Sequence, residues 1–341
     1  MISLKYQISK LGAEDYSRWS NFVEREQLPY SYSLLWKRVL ADLNDIEECY
    51  WIVSDPLQER AVAILPAYMI DGPLGKVVNS LPYTQSVGGL VVDKALSPLE
   101  ESQLLSELRL TLADFCEVNR ISFWSEVYID NVGPHLFPDV RIEERRRPFE
   151  LLNLAVSNIK NKRRKRSIKQ GEKACFQLFK ANSMDEAFKC HQVYADAMLS
   201  IEVGHHSWVI FEEMINDHED NCVEFYGAKL DGLIVGTVIL MIFNGRVSYY
   251  ASGCSPTGKK HQVISWLCNE LILMMAKKGM KIWDWMPSPN KTVSEYKASW
   301  GGEMSEHIVR TYCFKDPKKL NADSDLLKGY EQFYVHPFDL V

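Results

Sequence analysis

The chain has 341 residues, of which 46% are hydrophobic and 25% are charged, and it carries a formal net charge of −6. This length favours two domains of roughly 150 to 170 residues, each large enough to bury a core. No window of about 18 consecutive apolar residues occurs, which excludes a membrane-spanning helix. The N-terminal segment alternates like a strand and lacks the apolar core of a signal peptide, so the sequence predicts a cytoplasmic protein.

The cysteines and histidines give no sign of a metal site. The eight cysteines are scattered, and none forms a C-x-x-C pair. This pattern favours separate buried thiols in a reducing compartment over disulfides or zinc. His205 and His206 are adjacent, which is poor geometry for chelation on a helix or a strand, so we expect them in a loop or at a helix end.

The first half of the chain reads as a helix, an antiparallel meander, a second helix and a strand. Apolar runs on either side of Asp55 and Pro56 predict a hairpin, and a third strand follows. Ser97 and Glu100 form a capping box with a proline at the first helical position, which predicts the start of the second helix. The predicted elements after the first helix are strands 50–54, 61–69 and 76–81, a helix 98–119 and a strand 121–127.

The segment 141–173 concentrates positive charge. Its twelve basic residues stand against four acidic ones, so it carries +8 and the rest of the chain carries −14. Such a cluster indicates an anionic partner or a solvated face, and it does not indicate a general nucleic-acid-binding protein. The domain boundary is expected near Pro148, and residues 160–171 are expected to form a helix that stops at its final glycine. Arg166 and Lys169 lie one turn apart, so they are best placed to hold an anion in a cleft.

The second half repeats the order of the first. Asp231-Gly232 and Asn244-Gly245 separate apolar runs and predict two tight hairpins, hence a three-stranded meander. A capping box at Ser183 opens a helix before the meander, and corresponding elements of the two halves lie roughly 155 to 175 residues apart, which indicates a duplicated domain. The predicted elements are a helix 183–198, strands 223–230, 233–243 and 246–251, a helix 260–278 and a strand 281–285.

The segment Gly253–Lys260 has the glycine and lysine spacing of a phosphate-binding loop. Lys260 replaces the hydroxyl residue that would hold Mg²⁺, and the segment follows an antiparallel strand, so an ATPase is not expected. A milder interpretation remains, in which Gly258, Lys259 and Lys260 at a helix N-terminus accept a phosphate or pyrophosphate of an acyl donor.

An aromatic-lysine motif lies near the end of the second half. A short apolar run carries Asp284 between two tryptophans, and Tyr296, Lys297 and Trp300 follow within sixteen residues. We expect the stem of Lys297 to pack on the two rings and its ammonium to be free to meet an anion.

These motifs together resemble the FemAB-like family of acyltransferases, over about residues 30 to 315. The resemblance rests on their order and spacing, because each is weak by itself. The matching pieces are Leu34-Leu35-Trp36, residues 63–66, residues 79–83 running to Gly88-Gly89, the basic run 163–171, the Asp231-Gly232 hairpin with residues 249–253, Trp283-Asp284-Trp285, and Tyr296-Lys297 with Trp300-Gly301.

The resemblance implies an α+β fold of two tandem GNAT-like domains, each a mixed, mostly antiparallel sheet flanked by helices. The expected domains are 1–147 and 148–320, with a tail at 321–341. The family implies transfer of an acyl or aminoacyl group to an amine, on a cell-envelope or polysaccharide precursor sugar or on a peptide, either of which could be linked to a nucleotide or a lipid. No tightly bound cofactor and no DNA partner are expected.

The donor stays open between acyl-CoA, which we prefer, and aminoacyl-tRNA. The chain lacks the helical hairpin of the peptidoglycan-bridge members, and it also lacks the Gln/Arg-x-x-Gly-x-Gly/Ala loop of simple acetyltransferases. A non-catalytic binding module on the same fold is a third alternative, and peripheral contact with a membrane is compatible with the sequence.

Amine acylation needs no protein nucleophile, because the acceptor amine attacks the carbonyl directly. The enzyme must align the substrates and stabilise the oxyanion. We therefore expect Lys297 to contact the oxyanion or a phosphate of the acceptor, Asp284 to accept a proton or orient the amine, and Tyr250 to donate a hydrogen bond. The expected substrate-binding residues are Arg166, Lys169, Tyr296, Trp300, Tyr83 and Trp36.

Overall fold

A computed structural model of the chain describes residues 5–43, 46–82, 87–130, 133–155, 159–216, 222–288, 290–320, 327, 330 and 333. Its contacts divide the chain into a first unit, Met1–Arg147 with Glu306–Val341, and a second unit, Pro148–Ser305. The division after Arg147 falls where the sequence places the domain boundary, whereas residues 306–320 group with the first unit. The predicted folding domains stay a prediction, and the predicted tail lies almost entirely outside the described residues.

Most helices and strands of the first unit lie close to the predicted positions, but the predicted meander is wrong, because the strand expected at 61–69 is divided into Arg60–Leu65 and Tyr68–Ile70, which lie in different sheets. Ser97 forms the complete predicted capping box, because its hydroxyl accepts from the Glu100 N–H and the Glu100 carboxylate accepts from the Ser97 N–H. The elements are β1 Gln7–Lys10, α1 Tyr16–Arg25, α2 Leu34–Leu43, β2 Glu47–Glu48, β3 Trp51–Asp55, β4 Arg60–Leu65, β5 Tyr68–Ile70, β6 Lys76–Asn79, β7 Val91–Val92, α3 Pro98–Asn119 and β8 Ile121–Ile129.

Two sheets build the first unit. One has the strand order β1-β3-β4-β7, and in the other β8 pairs with β6 in parallel, while β6, β5 and β2 follow as antiparallel neighbours. Apolar side chains from both sheets and from α3 form one buried core, which includes Trp51, Leu108 and Trp124. The long run of buried residues in β8 reflects its position between two neighbouring strands.

The second unit contains the predicted meander with its two tight turns. Asp231-Gly232 and Asn244-Gly245 have positive φ at both residues of each pair, as a type I′ hairpin turn requires. The remaining elements of the chain are β9 Arg141–Asn153, α4 Lys162–Glu172, β10 Gln177–Lys180, α5 Met184–Leu199, α6 Trp208–Asn216, β11 Val223–Leu230, β12 Leu233–Phe243, β13 Arg246–Cys254, α7 Pro256–Lys260, α8 Val263–Lys277, β14 Ile282–Asp284, α9 Lys291–Ala298 and β15 Glu303–Cys313.

The sheet of the second unit has the order β10-β11-β12-β13-β14-β9, with β13 and β14 parallel and the other neighbours antiparallel. Helices α4 and α8 cover one face, where Ile168 and Trp266 share a core with Tyr249 and Trp283. Helix α5 packs on the opposite face so closely that a Cβ added to Gly253 would lie 2.6 Å from the Cα of Tyr194. Helices thus flank both faces of the sheet, and the predicted α+β class is confirmed.

Three details of the predicted helices are wrong. Gly171 lies inside α4 and does not stop it; a Cβ there would lie 2.5 Å from the Cβ of Trp266, so glycine permits close packing of α4 on α8. The capping box at Ser183 is half formed, because the Glu186 carboxylate accepts from the Asn182 N–H. The helix predicted at 260–278 begins only at Val263, as α8, because Gln262 has a φ of 59° and separates it from the short α7.

Candidate active site

A fork between β13 and β14 is the central feature of the second unit. The two strands pair in parallel over only three residues, from Arg246–Ile282 to Ser248–Asp284. Beyond these pairs the Trp285 N–H donates to the Glu150 carbonyl on β9 at 3.1 Å, so the chain after β14 stays with β9 and leaves β13. Parallel strands that separate in this way open a crevice at their carboxyl ends, where ligands bind in many α/β folds.

A β-bulge in β13 lies just beyond the last pair of the fork. Ile239 of β12 pairs with Ala251, and the next residue, Leu240, pairs with Tyr249, so Tyr250 is the extra residue of the bulge. A bulge redirects the side chain that it carries. The Tyr250 ring lies against Phe211 of α6 and His206, with centroids 5.9 Å and 4.7 Å away. The predicted site residue Tyr250 therefore lies beside the fork, on the face that α5 and α6 cover.

Asp284 holds the base of the fork together. Its carboxylate accepts from Arg246 Nη1 of β13 at 2.8 Å and from the Met286 N–H at 2.7 Å, and the residue is only 2% exposed. Met286 has a φ of 56°, so the backbone turns sharply at the point where β14 ends. Both carboxylate oxygens thus have protein partners, one that spans the two strands and one that fixes the turn.

Lys297 of α9 contacts the same turn. Its Nζ donates to the carbonyls of Met286 at 2.9 Å and Pro287 at 3.2 Å, and the residue is 6% exposed. Burial lowers the pKa of this amine to about 8, against an opposing attraction from Asp284. An ammonium has three N–H donors, and the third has no acceptor among the residues that the structure describes. Two of the three N–H donors of the ammonium that was expected to be free therefore have protein acceptors, and one donor remains.

A second cation, Arg164, stacks on the aromatic pair, and the expected packing of the Lys297 stem on these rings stays a prediction. The Arg164 guanidinium lies 3.9 Å from the ring centroid of Tyr296 and 5.1 Å from that of Trp300, which is fully buried. It also donates to the hydroxyls of Ser299 at 2.8 Å and Ser265 at 2.7 Å. The sequence analysis missed Arg164, although its spacing of four from the apolar Ile168 could have separated it from the exposed basic residues.

The other predicted site residues lie elsewhere. Arg166 and Lys169 are exposed on α4, and among the described residues neither contacts Lys297 or Asp284. Lys169 borders a cavity of about 320 Å³ whose apolar wall includes Ile168 and Ile272. Trp36 is buried in α2 of the first unit, with its ring edge-on to Tyr30, and Tyr83 lies outside the described residues.

The phosphate-loop-like segment forms the junction of β13 and α7. The Gly258 N–H donates to the Ser255 hydroxyl at 3.2 Å, and a Cβ on Gly258 would lie 2.1 Å from the Val235 carbonyl oxygen. Packing of α7 against β12 is therefore a sufficient reason for this glycine. Lys259 and Lys260 are exposed, and a role for them in binding a phosphate stays a prediction.

His206 is a second feature that the sequence analysis did not identify as functional. It lies between α5 and α6, in the loop position that was expected for it, and its ring is tilted by 32° against that of Tyr250. Burial, reinforced by the neighbouring His191 and His205, lowers the pKa of its imidazole to about 4. His206 is therefore neutral at physiological pH.

Comparisons with known proteins agree with this geometry. The family described as acetyltransferase (GNAT) domain matches residues 158–298, which include α4, the meander, the fork and Lys297. No curated protein matches the chain in sequence.

Solved structures extend the likeness to both halves of the chain. A structure of FemX matches with a TM-score of 0.67 and 10% identity, covering 92% of this chain and 98% of FemX. L-PGS from Bacillus licheniformis matches with a TM-score of 0.55 and 12% identity, covering 89% and 93%. A tandem GNAT protein from the clavulanic acid biosynthesis pathway matches with a TM-score of 0.50 and 11% identity, covering 91% and 99%.

Identities this low establish the fold alone, whereas the domain family adds the type of enzyme. The structural neighbours are matched over nearly their whole length, so the tandem arrangement is shared and not only a single domain. Among the described helices, none combines the length and the apolar character that crossing a membrane requires. The chain is therefore an acyltransferase whose residues 158–298 match the GNAT domain family, and its fold is similar to those of FemX and of a tandem GNAT protein.

Proposed function

We propose that this protein is an N-acyltransferase that moves an acyl group from acyl-CoA to an amine on a cell-envelope or polysaccharide precursor sugar. The observation that supports it most directly is the fork, with the buried cation of Lys297 at its end. In the proposed reaction the amine nitrogen bonds to the thioester carbonyl carbon, the carbon–sulfur bond breaks, and the nitrogen loses one proton.

Lys297 stabilises the oxyanion that forms during this attack. Two of its N–H groups are fixed by the Met286 and Pro287 carbonyls, so the third is held in one direction before substrate arrives. A donor fixed in advance in a site that excludes water is worth more than one in solution, because no reorganisation is needed at the moment of reaction. Asp284 acts by holding the turn that carries these two carbonyls.

The exposed cations complete the proposal. Lys259 and Lys260 hold a phosphate of the donor, and Arg166 and Lys169 hold an anionic group on the acceptor. Their exposure is compatible with these roles, because groups that meet a diffusing phosphate must be reachable.

The test compares Lys297→Met with Lys291→Met on the same helix. Lys291 is exposed, and its only recorded ion pair among the described residues is a 4.0 Å contact with Glu295. Purified protein is supplied with acyl-CoA of several chain lengths and a set of nucleotide-linked amino sugars, and thiol release and product mass are measured. We expect Lys297→Met to lose on the order of 10²-fold or more in kcat while Lys291→Met keeps wild-type turnover.

Wild-type turnover in a folded Lys297→Met variant would remove the proposed role of this lysine. The acceptor itself is identified by mass spectrometry of the surface glycans and nucleotide-sugar precursors from a deletion strain. The missing acyl mass names the acyl group and the sugar together, and glycans unchanged in the deletion strain would contradict an envelope substrate.

Aminoacyl-tRNA is the second candidate donor, and the surface of α4 favours it. Its exposed cations have no ion pair among the described residues: Lys162, Arg163, Lys165, Arg166 and Lys169. Two structural neighbours are named as FemX and as a lysylphosphatidylglycerol synthetase, which adds a reason to test aminoacyl transfer.

The salt dependence of tRNA binding separates the two donors. Binding through several of these cations would fall steeply as salt rises, with a slope in log K of roughly one per phosphate contacted. Replacing Lys162, Arg163 and Lys165 by Glu would reduce that slope by about three, whereas acyl-CoA turnover would respond little. A non-catalytic binding module would instead show no turnover with either donor and tolerate Lys297→Met in vivo.

A further inference from the structure

We infer that His206 is the group that takes the proton from the attacking amine. The inference rests on the proposed function and adds a catalytic residue that neither the sequence motifs nor the family resemblance indicated. The nitrogen–carbon bond forms, the thiolate leaves, and the proton lost by the nitrogen passes to an imidazole nitrogen of His206 and then to solvent.

The position of His206 follows from the two faces of the sheet. Trp283 of β14 packs in the core under α8, so the next residue, Asp284, points to the opposite face, because side chains alternate along a strand. On that opposite face the bulged Tyr250 lies under the His206 ring, with 4.7 Å between centroids. His206 thus contacts Tyr250 on the face of the sheet to which Asp284 points, away from the α8 core.

The backbone around His206 is fixed by three hydrogen bonds. Its N–H donates to the Tyr194 hydroxyl at 3.1 Å, and its carbonyl is contacted by His191 Nε2 at 2.9 Å and His205 Nδ1 at 3.1 Å. Its imidazole, in contrast, makes ring contacts and has no hydrogen-bond partner among the described residues. The loop is therefore anchored while the functional nitrogens stay available, and the residue is partly exposed.

The surroundings keep this imidazole in the form that can accept a proton. The groups that face it are the rings of Tyr194, Phe211 and Tyr250 with the two other histidines of the cluster, and no carboxylate contacts it among the described residues. Its pKa is lowered, so protonation is favoured only in acid, and a neutral imidazole persists at pH 6 to 8. The nitrogen of the tetrahedral intermediate is far more acidic than a free ammonium, so a weak base is sufficient.

Asp284 is the competing base, and its contacts argue against it. Both of its oxygens already accept hydrogen bonds, from Arg246 and from the Met286 N–H. Protonating it would break an ion pair at the base of the fork. A catalytic base is protonated in every turnover, so this loss of free energy would recur each time.

The experiment compares His206→Phe with His135→Phe, because His135 is an exposed histidine of the first unit whose carbonyl, and not its ring, accepts from Arg109. Phenylalanine at position 206 preserves an aromatic ring against Tyr250 and removes the base. With the donor and acceptor that wild-type protein uses, we expect His206→Phe to lose about 10²- to 10⁴-fold in kcat with little change in KM, and His135→Phe to stay within about threefold.

A second variant shows whether a loss is chemical or structural. In His206→Ala the cavity admits free imidazole, and added imidazole should restore activity in proportion to its neutral fraction, which a purely structural role would not produce. Turnover of folded His206→Phe within about threefold of wild type would overturn the inference and leave the proposed function intact. Wild-type protein that transfers no group from any acyl-CoA or aminoacyl-tRNA would overturn both.

Discussion

At the scale of single residues, the cation and the carboxylate of the fork, Lys297 and Asp284, differ in how fully their polar atoms are hydrogen-bonded. Lys297 keeps one N–H without a protein acceptor, whereas both oxygens of Asp284 are occupied. From the sequence we expected Lys297 to contact the oxyanion or a phosphate, and Asp284 to accept a proton or orient the amine. We propose that Asp284 is a positioning residue, since its partners are Arg246 across the fork and the backbone of the turn.

We predict that Asp284→Asn retains most activity and that Asp284→Ala does not. The Asn amide oxygen can still accept from the Met286 N–H and keep the turn, although its NH2 group is a donor and cannot accept from Arg246, whereas Ala loses both contacts. Breaking a largely buried pair costs about 3 kcal/mol, so urea unfolding should show both variants destabilised by that order, and Asp284→Ala more than Asp284→Asn. A loss of about 10²- to 10⁴-fold in kcat for a stable Asp284→Asn would instead make Asp284 the base in place of His206.

At the scale of elements, the features that depend on local chemistry could be predicted from the sequence, whereas those that depend on the close packing of distant segments could not. Asp231-Gly232 and Asn244-Gly245 fix their hairpins locally, so both were predicted with the observed strand ends. Gly171 and Gly258 look like a helix stop and a phosphate loop in one dimension. Each is a place where a helix comes too close to Trp266 or Val235 for a side chain, and the spacing of residues in the sequence does not reveal that distance.

The basic helix α4 shows the same limit for charged residues. From the sequence, most of its basic side chains are expected to be solvated, and most of them are indeed exposed. Arg164 differs because it stacks on Tyr296 and Trp300, residues more than 130 positions away in the chain. Such a contact links α4 to α9 and so supports the element that carries Lys297. His206 was missed for a similar reason, since only the tertiary fold brings it to Tyr250.

At the scale of the whole molecule, each unit buries an ionisable group whose charge opposes folding. In the first unit Glu126 of β8 is fully buried, and burial raises the pKa of its carboxyl to about 7 although the Leu90 N–H donates to it at 3.2 Å. In the second unit burial lowers the pKa of Lys297 to about 8. The shifts have opposite signs, so the two groups act on stability in different pH ranges.

We predict that Glu126 lowers stability between about pH 4.5 and 7 and that Lys297 raises it above about pH 8, while His206, whose pKa is lowered to about 4, opposes the Glu126 contribution in acid. The folded state holds the Glu126 proton more tightly than the unfolded state, so its contribution is lost as pH rises through 7. Lys297 sheds its proton near pH 8 when folded and near 10.5 when unfolded, so its cost disappears as pH rises through that window. Each contribution is on the order of 3 kcal/mol, from 1.36 kcal/mol per pKa unit.

Urea unfolding at pH 5, 7, 8 and 10 of wild type, Glu126→Gln and Lys297→Met measures both contributions. Glu126→Gln should lose the fall in stability that Glu126 causes on the acid side and keep the rise on the alkaline side. Lys297→Met should keep the Glu126 contribution and lose the alkaline rise. Both expectations hold whatever each substitution does to stability at a single pH. The comparison of slopes is the informative quantity, because Lys297→Met also removes two hydrogen bonds to carbonyls. Identical pH profiles for wild type and either variant would mean that the substituted group keeps its ordinary pKa on folding, and for Lys297 that would contradict the desolvated position on which the proposed oxyanion site depends.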